Sequence, residues 1–170
     1  LRSHSPLVPL SIFRRRTLSA ANGIGLILGT AVFGMFYLLS LYMQNVLGFS
    51  ALETGLGYLA VALTAVVASG VAQALTTRAG VKPVLAAGMG LLAAGLIFFT
   101  QISADGSYVA DLLPGFFLIG IGLGFAFVPV SIAALSGASD KEAGLQSGRI
   151  NTNQQIGGAI GLAIIVSIST

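Results

Sequence analysis

Long uncharged stretches alternate with short polar ones along this chain, and that alternation is its dominant pattern. No Asp, Glu, Lys or Arg occurs within residues 17–52, 54–77, 83–104, 112–139 or 150–170. A helix needs about 20 mostly apolar residues to cross bilayer hydrocarbon, so each stretch is long enough. The pattern predicts five spans, at roughly 19–44, 55–76, 83–103, 112–136 and 145–169, after a linker over 1–18. Soluble helices of this length carry a polar stripe, whereas these are apolar nearly all round. The predicted fold class is an all-α membrane protein with five transmembrane helices.

Charge then gives the spans a direction. Arg2, Arg14, Arg15 and Arg16 precede the first span, Arg78 and Lys82 separate the second and third, and Lys141 and Arg149 separate the fourth and fifth. All eight basic residues fall on one side, while the opposite loops hold only Glu53, Asp105 and Asp111. The positive-inside rule makes the basic side and the amino terminus cytoplasmic, in a multi-pass protein of the cell membrane. A wrong span count would scatter the charges between sides, so this segregation also supports the count.

Composition agrees with lipid as the main solvent. Of 170 residues 55% are hydrophobic and 8% charged, against about 25% charged in soluble domains. The sequence pI of about 9.7 does not imply nucleic acid, because the basic residues form no clustered soluble face. There is no cysteine, so disulfides and thiolate metal sites are excluded. No catalytic triad, metal-ligand cluster or phosphate cradle is legible, and no ionisable residue falls at the middle of a span. The sequence therefore predicts no enzyme, no metal and no cofactor.

Small and polar residues within the spans are the next signal. Lipid gives helices no hydrophobic reason to associate, so close packing through small residues takes its place. Gly25 and Gly29, Gly120 and Gly124, and Gly157 and Gly161 each form a small-xxx-small pair. They predict packing seams, which would also let helices slide or rock. Pro114 falls in the first turn of span four, where its missing N–H costs little, but Pro129 lies well inside and predicts a kink. Gly80 and Pro83 break the chain between spans two and three, and residues 104–107 carry a turn signal.

The fifth span is the most polar. Asn151 and Gln155 are four residues apart with Gly158 three beyond, so they share a helical face, while Asn153 and Gln154 point elsewhere. A carboxamide facing lipid lacks partners, so the Asn151–Gln155 face is expected to turn inward, as interhelical packing or as a substrate or gate surface. Arg149 is expected to snorkel to the interface. In the first span Tyr42 and Gln44 suit an interfacial belt, whereas Phe33 and the deeper Tyr37 are candidates for lining a cavity.

Three segments in this order resemble a known family. Leu10-Ser-Ile-Phe-Arg-Arg-Arg-Thr-Leu-Ser resembles the start of the C-terminal half of drug efflux proteins of the major facilitator superfamily, in the fourteen-helix drug:proton antiporter branch. The segment Leu41-Tyr-Met-Gln-Asn-Val-Leu-Gly-Phe-Ser-Ala-Leu-Glu-Thr-Gly resembles the outer loop that follows. Ala143-Gly-Leu-Gln-Ser-Gly with Asn151-Thr-Asn-Gln-Gln-Ile-Gly-Gly-Ala-Ile-Gly resembles the penultimate helix. Together they cover nearly the whole chain. The resemblance implies half of a two-domain bundle, built from three-helix inverted repeats with the last helix missing. Spans one, two, four and five would face the central cavity and the third would lie outside. Thr77-Arg78-Ala79-Gly80-Val81-Lys82 matches a cytoplasmic gate loop at Arg78, Gly80 and Lys82, but Thr77 and Val81 replace an acidic and a basic position.

The function so implied is export of lipophilic or amphipathic small molecules in exchange for protons, by alternating access. The partners would be the bilayer, a drug-like substrate and the missing N-terminal half, which is also expected to hold the proton-coupling carboxylate; no nucleic acid is expected. A metabolite importer would want more polar groups within the spans, and a non-transporting subunit or membrane enzyme would need inward ionisable residues. Leu1 opens the chain without an initiator Met or signal peptide, and the count of spans is odd. Both lead to the expectation of an internal cut with at least one further helix.

Overall fold

Uncharged segments in lipid must satisfy their backbone groups internally, and here they do so as helices. The computed structural model describes the backbone of residues 16–103, 106–135 and 140–169, and the side-chain surroundings of residues 23–24, 26–103, 106–133, 148 and 151–167. The elements are α1 (Arg16–Asn45), α2 (Ala51–Gly57), α3 (Leu59–Ala79), α4 (Val81–Phe99), a π-helical turn (Tyr108–Leu112), α5 (Leu113–Leu135) and α6 (Asp140–Ser169). Leu26–Asn45, Ala51–Ala79, Val81–Phe99 and Tyr108–Ala133 are each long and apolar enough to cross a membrane. This is an all-α, multi-pass membrane protein. The predicted span 145–169 falls within α6, whose first turns lie partly outside the described side chains.

The helix boundaries differ from the predicted ones for local reasons. A capping box starts α2 at Ala51 rather than 55: the Ser50 N–H donates to Glu53 Oε2 at 2.8 Å, and the Glu53 N–H to Ser50 Oγ at 3.3 Å. The second span is then interrupted at Tyr58, just past Gly55 and Gly57. The third ends at Phe99 rather than 103, because the Thr100 and Gln101 N–H groups close tight turns on Ile97 O and Phe98 O at 3.0 and 3.1 Å. Span four is preceded by the π turn, which apolarity alone does not signal. Of the predicted 1–18 linker, 1–15 lies outside the described residues, and Arg16 already belongs to α1.

A single residue, Gly80, joins α3 to α4. Its φ of 89° and ψ of 168° lie where a side chain would be strained, so glycine alone permits so short a link. Pro83 follows in the first turn of α4, where a missing donor is harmless. This hairpin places Arg78 and Lys82 at one end of the bundle, hereafter the basic end. Glu53 and Asp111 lie at the other, the acidic end.

The bundle is organised around α5. Half of its membrane-length segment is buried, against a third or less for the other three. Gly120 and Gly124 face α3: a methyl at Gly120 would lie 2.7 Å from Thr64 Cβ, and one at Gly124 would lie 2.7 Å from Ser69 N. Gly122 faces α4, where a methyl would lie 2.8 Å from Leu92 N. The core between α1, α3, α4 and α5 is built on Phe116, Leu28, Met35, Met43, Ile119 and Leu123. By contrast Leu63, Val66 and Val67 on the outer side of α3 are 65%, 72% and 71% exposed, a surface suited to acyl chains.

Candidate functional site

The α1–α6 seam collects most of the residues that the sequence singles out. The helices run parallel, with contacts advancing together along both. A methyl at Gly157 would collide with the Leu26 carbonyl, one at Gly161 would lie 2.7 Å from Thr30 O, and one at Gly34 would lie 2.5 Å from Ile165 Cδ1. Gly29 sits directly on the Gln154 backbone. Thr30 Oγ1 bridges the seam, donating to Gly157 O at 2.8 Å while remaining 3.0 Å from Leu26 O of its own helix. Backbone approach this close is available only to small residues, and in lipid it is what holds two helices together. Gly25 lies in α1, but its surroundings fall outside the described residues.

The seam has two unlike flanks. On one, the Phe33 ring covers Gly158, where a methyl would lie 2.7 Å from Phe33 Cδ2. Gln155 is three residues before Gly158 and Asn151 four before that, so both carboxamides share this flank with Phe33. Asn151 and Gln155 are exposed, Phe33 is 45% exposed, and neither carboxamide makes a hydrogen bond among the described residues. Tyr37, one turn beyond Phe33, is half-buried. Asn153 and Gln154 are also half-buried, and Gln154 rather than Asn151 meets α1. The reason is packing: the seam forms where Gly157 and Gly161 allow the nearest approach, and that selects the face carrying Gln154.

The other flank is apolar. Ala31, Gly34 and Leu38 of α1 form a groove of about 520 Å³ with Leu96 and Phe99 of α4 and Ile165 of α6. A second, equally apolar groove of about 510 Å³ lies between α3 and α5, lined by Val67, Val71, Phe117, Ile121 and Phe125.

The gate-loop candidates Arg78, Gly80 and Lys82 are exposed at the basic end, apart from the seam. Pro129 is fully buried inside α5. It has no N–H, so the Phe125 carbonyl, four residues earlier, lacks its helical donor. Gly88 of α4 lies against that carbonyl, with a methyl there only 2.8 Å from Phe125 O.

Several contacts have little or no signature in the sequence. Thr30 is marked only by a hydroxyl among glycines. Gly88, Gly95 and Gly115 stand in no four-residue glycine pair, yet each meets a neighbouring helix. Tyr58 and Tyr108, polar groups in apolar spans, are the available signal for the aromatic cluster at the acidic end.

Among the described residues the seam's exposed flank offers aromatic and carboxamide contacts.

Residues 2–162 match the family profile described as the Major Facilitator Superfamily. The chain is 32% identical to a multidrug resistance protein B homolog of Mycobacterium tuberculosis, over 99% of this chain and 32% of that protein. It is 32% identical to a lincomycin resistance protein of Streptomyces lincolnensis, over 98% of this chain and 34% of that protein. A cephamycin export protein of Amycolatopsis lactamdurans is 33% identical, over 97% of this chain and 34% of its own length. The chain thus spans about a third of the length of the curated relatives it matches.

Proposed function

The chain belongs to the major facilitator superfamily, and we propose that it is part of a drug exporter driven by the proton gradient. The observation that carries this reading is the set of relatives, whose names denote multidrug resistance, lincomycin resistance and cephamycin export. A substrate pathway passing the Phe33 flank of the α1–α6 seam is consistent with it. An apolar, aromatic wall with a few hydrogen-bonding groups suits lipophilic compounds, since desolvation drives binding and sparse polar contacts set orientation. Asn151 and Gln155 are the two exposed carboxamides on that wall, and a wall facing lipid would leave them without partners.

Alternating access then exposes this surface to either side in turn, with the basic end toward the cytoplasm and the protein in the cell membrane. The gate loop Arg78–Lys82 and the smooth glycine seams would move in that cycle, and the proton-coupling carboxylate is expected in another part of the full-length transporter. Reconstituted into vesicles, the full-length protein should expel ethidium only when a proton gradient is imposed. Movement without a gradient, or only inward, would overturn the reading.

A further inference from the structure

Hydrogen bonding between elements is unevenly distributed along this bundle. At the acidic end three tyrosine hydroxyls each reach a main-chain carbonyl of another element. Tyr42 donates to Ser103 O at 2.8 Å, Tyr58 to Phe36 O at 2.8 Å, and Tyr108 to Gly57 O at 2.7 Å. Ser40 Oγ lies 3.0 Å from the Tyr58 hydroxyl and closes a triangle with the same Phe36 carbonyl. The rings converge as well. Tyr58, Phe99 and Tyr108 meet Phe116 with centroids 5.4, 5.7 and 6.0 Å away, and Phe116 is fully buried. One ring of α5 thus ties together α3, α4 and the π turn, and Tyr58 adds α1.

The two interruptions of helical regularity at this end are the break at Tyr58 and the π turn Tyr108–Leu112. The Tyr108 hydroxyl joins one to the other. A π turn holds an extra residue that a shift of register would release. Anchoring its first residue on Gly57 O opposes that shift.

Toward the basic end the pattern reverses. The hydroxyls of Ser69 and Thr76 turn back to carbonyls of their own helix, and Thr30 to Gly157 O is the side-chain bond between helices described on that side. Gly88, Gly122 and Gly124 bring α3, α4 and α5 together there, and the apolar Val130 packs against Ile24 and Leu85 without a polar tie. Pro129 weakens α5 in the same region, with the freed Phe125 carbonyl resting on Gly88.

We propose that the acidic end is a fixed tyrosyl latch, and that conformational change within this half is confined to its basic end, where α5 bends at Pro129 across Gly88. In apolar surroundings no water replaces a lost hydroxyl–carbonyl bond, and the part-buried Tyr58 and Tyr108 bonds share one ring cluster, so they must break together. Sliding α4 and α5 along the faces of Gly88, Gly122 and Gly124 breaks none of them. The proposal goes beyond the export reading and does not depend on which compound is carried.

The test is amide hydrogen exchange on the full-length protein in nanodiscs, followed by mass spectrometry, before and after a step in pH or addition of ethidium. Exchange in segments 84–92 and 120–132 should respond, while 52–62 and 106–118 should not. Tyr108→Phe keeps the ring and removes the hydroxyl. It should accelerate exchange about fivefold in both 106–118 and 52–62, although only one segment carries the substitution. Tyr58→Phe should act likewise on 34–41 and 52–62, and Pro129→Ala should blunt the response at 120–132. Acceleration confined to the substituted segment would overturn the latch. So would acidic-end segments that respond to pH or ethidium as strongly as the basic-end ones, a comparison the unsubstituted protein decides alone if a variant cannot be purified. A protein that moves no ethidium yet shows coupled acceleration in Tyr108→Phe keeps the latch and loses only the export reading.

Discussion

Adding one methyl group at two different glycines should change the stability of this protein in opposite directions. Gly90 lies exposed on α4, and a methyl added there would have nothing within 4 Å. Gly90→Ala therefore gains only the helix preference of alanine, about 1 kcal/mol. Gly157→Ala gains the same preference but drives its methyl into the Leu26 carbonyl, with Leu26 C and Cα at 2.9 and 3.0 Å. Carbon–oxygen contacts settle at about 3.3–3.6 Å, so α1 and α6 must part by roughly 1 Å at that point. A gap of that size forfeits roughly a quarter to a half of the local dispersion attraction. It also strains the Thr30–Gly157 bond, now 2.8 Å long and worth about 1 kcal/mol. Overpacking of this kind costs about 1–3 kcal/mol, and with the bond lost and alanine's helix preference subtracted the net effect is destabilisation by about 1–3 kcal/mol. Titrating the purified full-length protein with SDS and following helicity by circular dichroism reads both variants on one scale. The reasoning is refuted if Gly157→Ala unfolds at or above the wild-type midpoint, or if Gly90→Ala is the less stable of the two.

Three further expectations follow from the geometry. Thr30→Val keeps the branched shape and removes the bridge to Gly157 O; it should lower SDS resistance by about 1 kcal/mol without altering helicity, and an unchanged midpoint would mean that the bond contributes nothing net. Gly80→Ala should cost about 1–3 kcal/mol through strain at a φ of 89°, read as faster tryptic cleavage after Arg78 in the full-length protein, whereas unchanged cleavage would indicate that the link adapts freely. Asn151→Leu combined with Gln155→Leu should shift which dyes are expelled from vesicles while leaving the SDS midpoint near wild type; a lowered midpoint with an unaltered dye profile would assign both residues to packing.

The helices are legible in the sequence because hydrocarbon admits so few alternatives. Uninterrupted apolar stretches bounded by Arg78, Lys82, Glu53 and Asp111 leave a chain little choice but to form helices there. What periodicity does not carry is the partner of each face. Gly120 and Gly124 stand out in the sequence, yet nothing in their spacing says that they meet Thr64 and Ser69. Gly88 stands in no such pair, although its place against Phe125 O is among the closest helix crossings. Spacing puts Asn151 and Gln155 on one face, but the seam is set by Gly157 and Gly161, and it turns the neighbouring Gln154 toward α1. The π turn escapes a reading of the sequence for a different reason. Besides its local Ser107 and Asp111 caps, it is tied to Gly57 by a hydroxyl from a residue 51 positions later, a contact with no local sequence signature.

The bridge from Thr30 to Gly157 spans 127 residues of sequence, whereas α3, α4 and α5 pack against one another as close neighbours in the chain. During synthesis, then, α3, α4 and α5 have one another almost as soon as they emerge, but the glycine-lined side of α1 waits for α6. Throughout that interval this side lacks the helix whose glycines fit it. Shortening the chain before α6 would leave that side permanently without this partner, so premature termination there is expected to yield a protein that cells clear rather than a smaller working one.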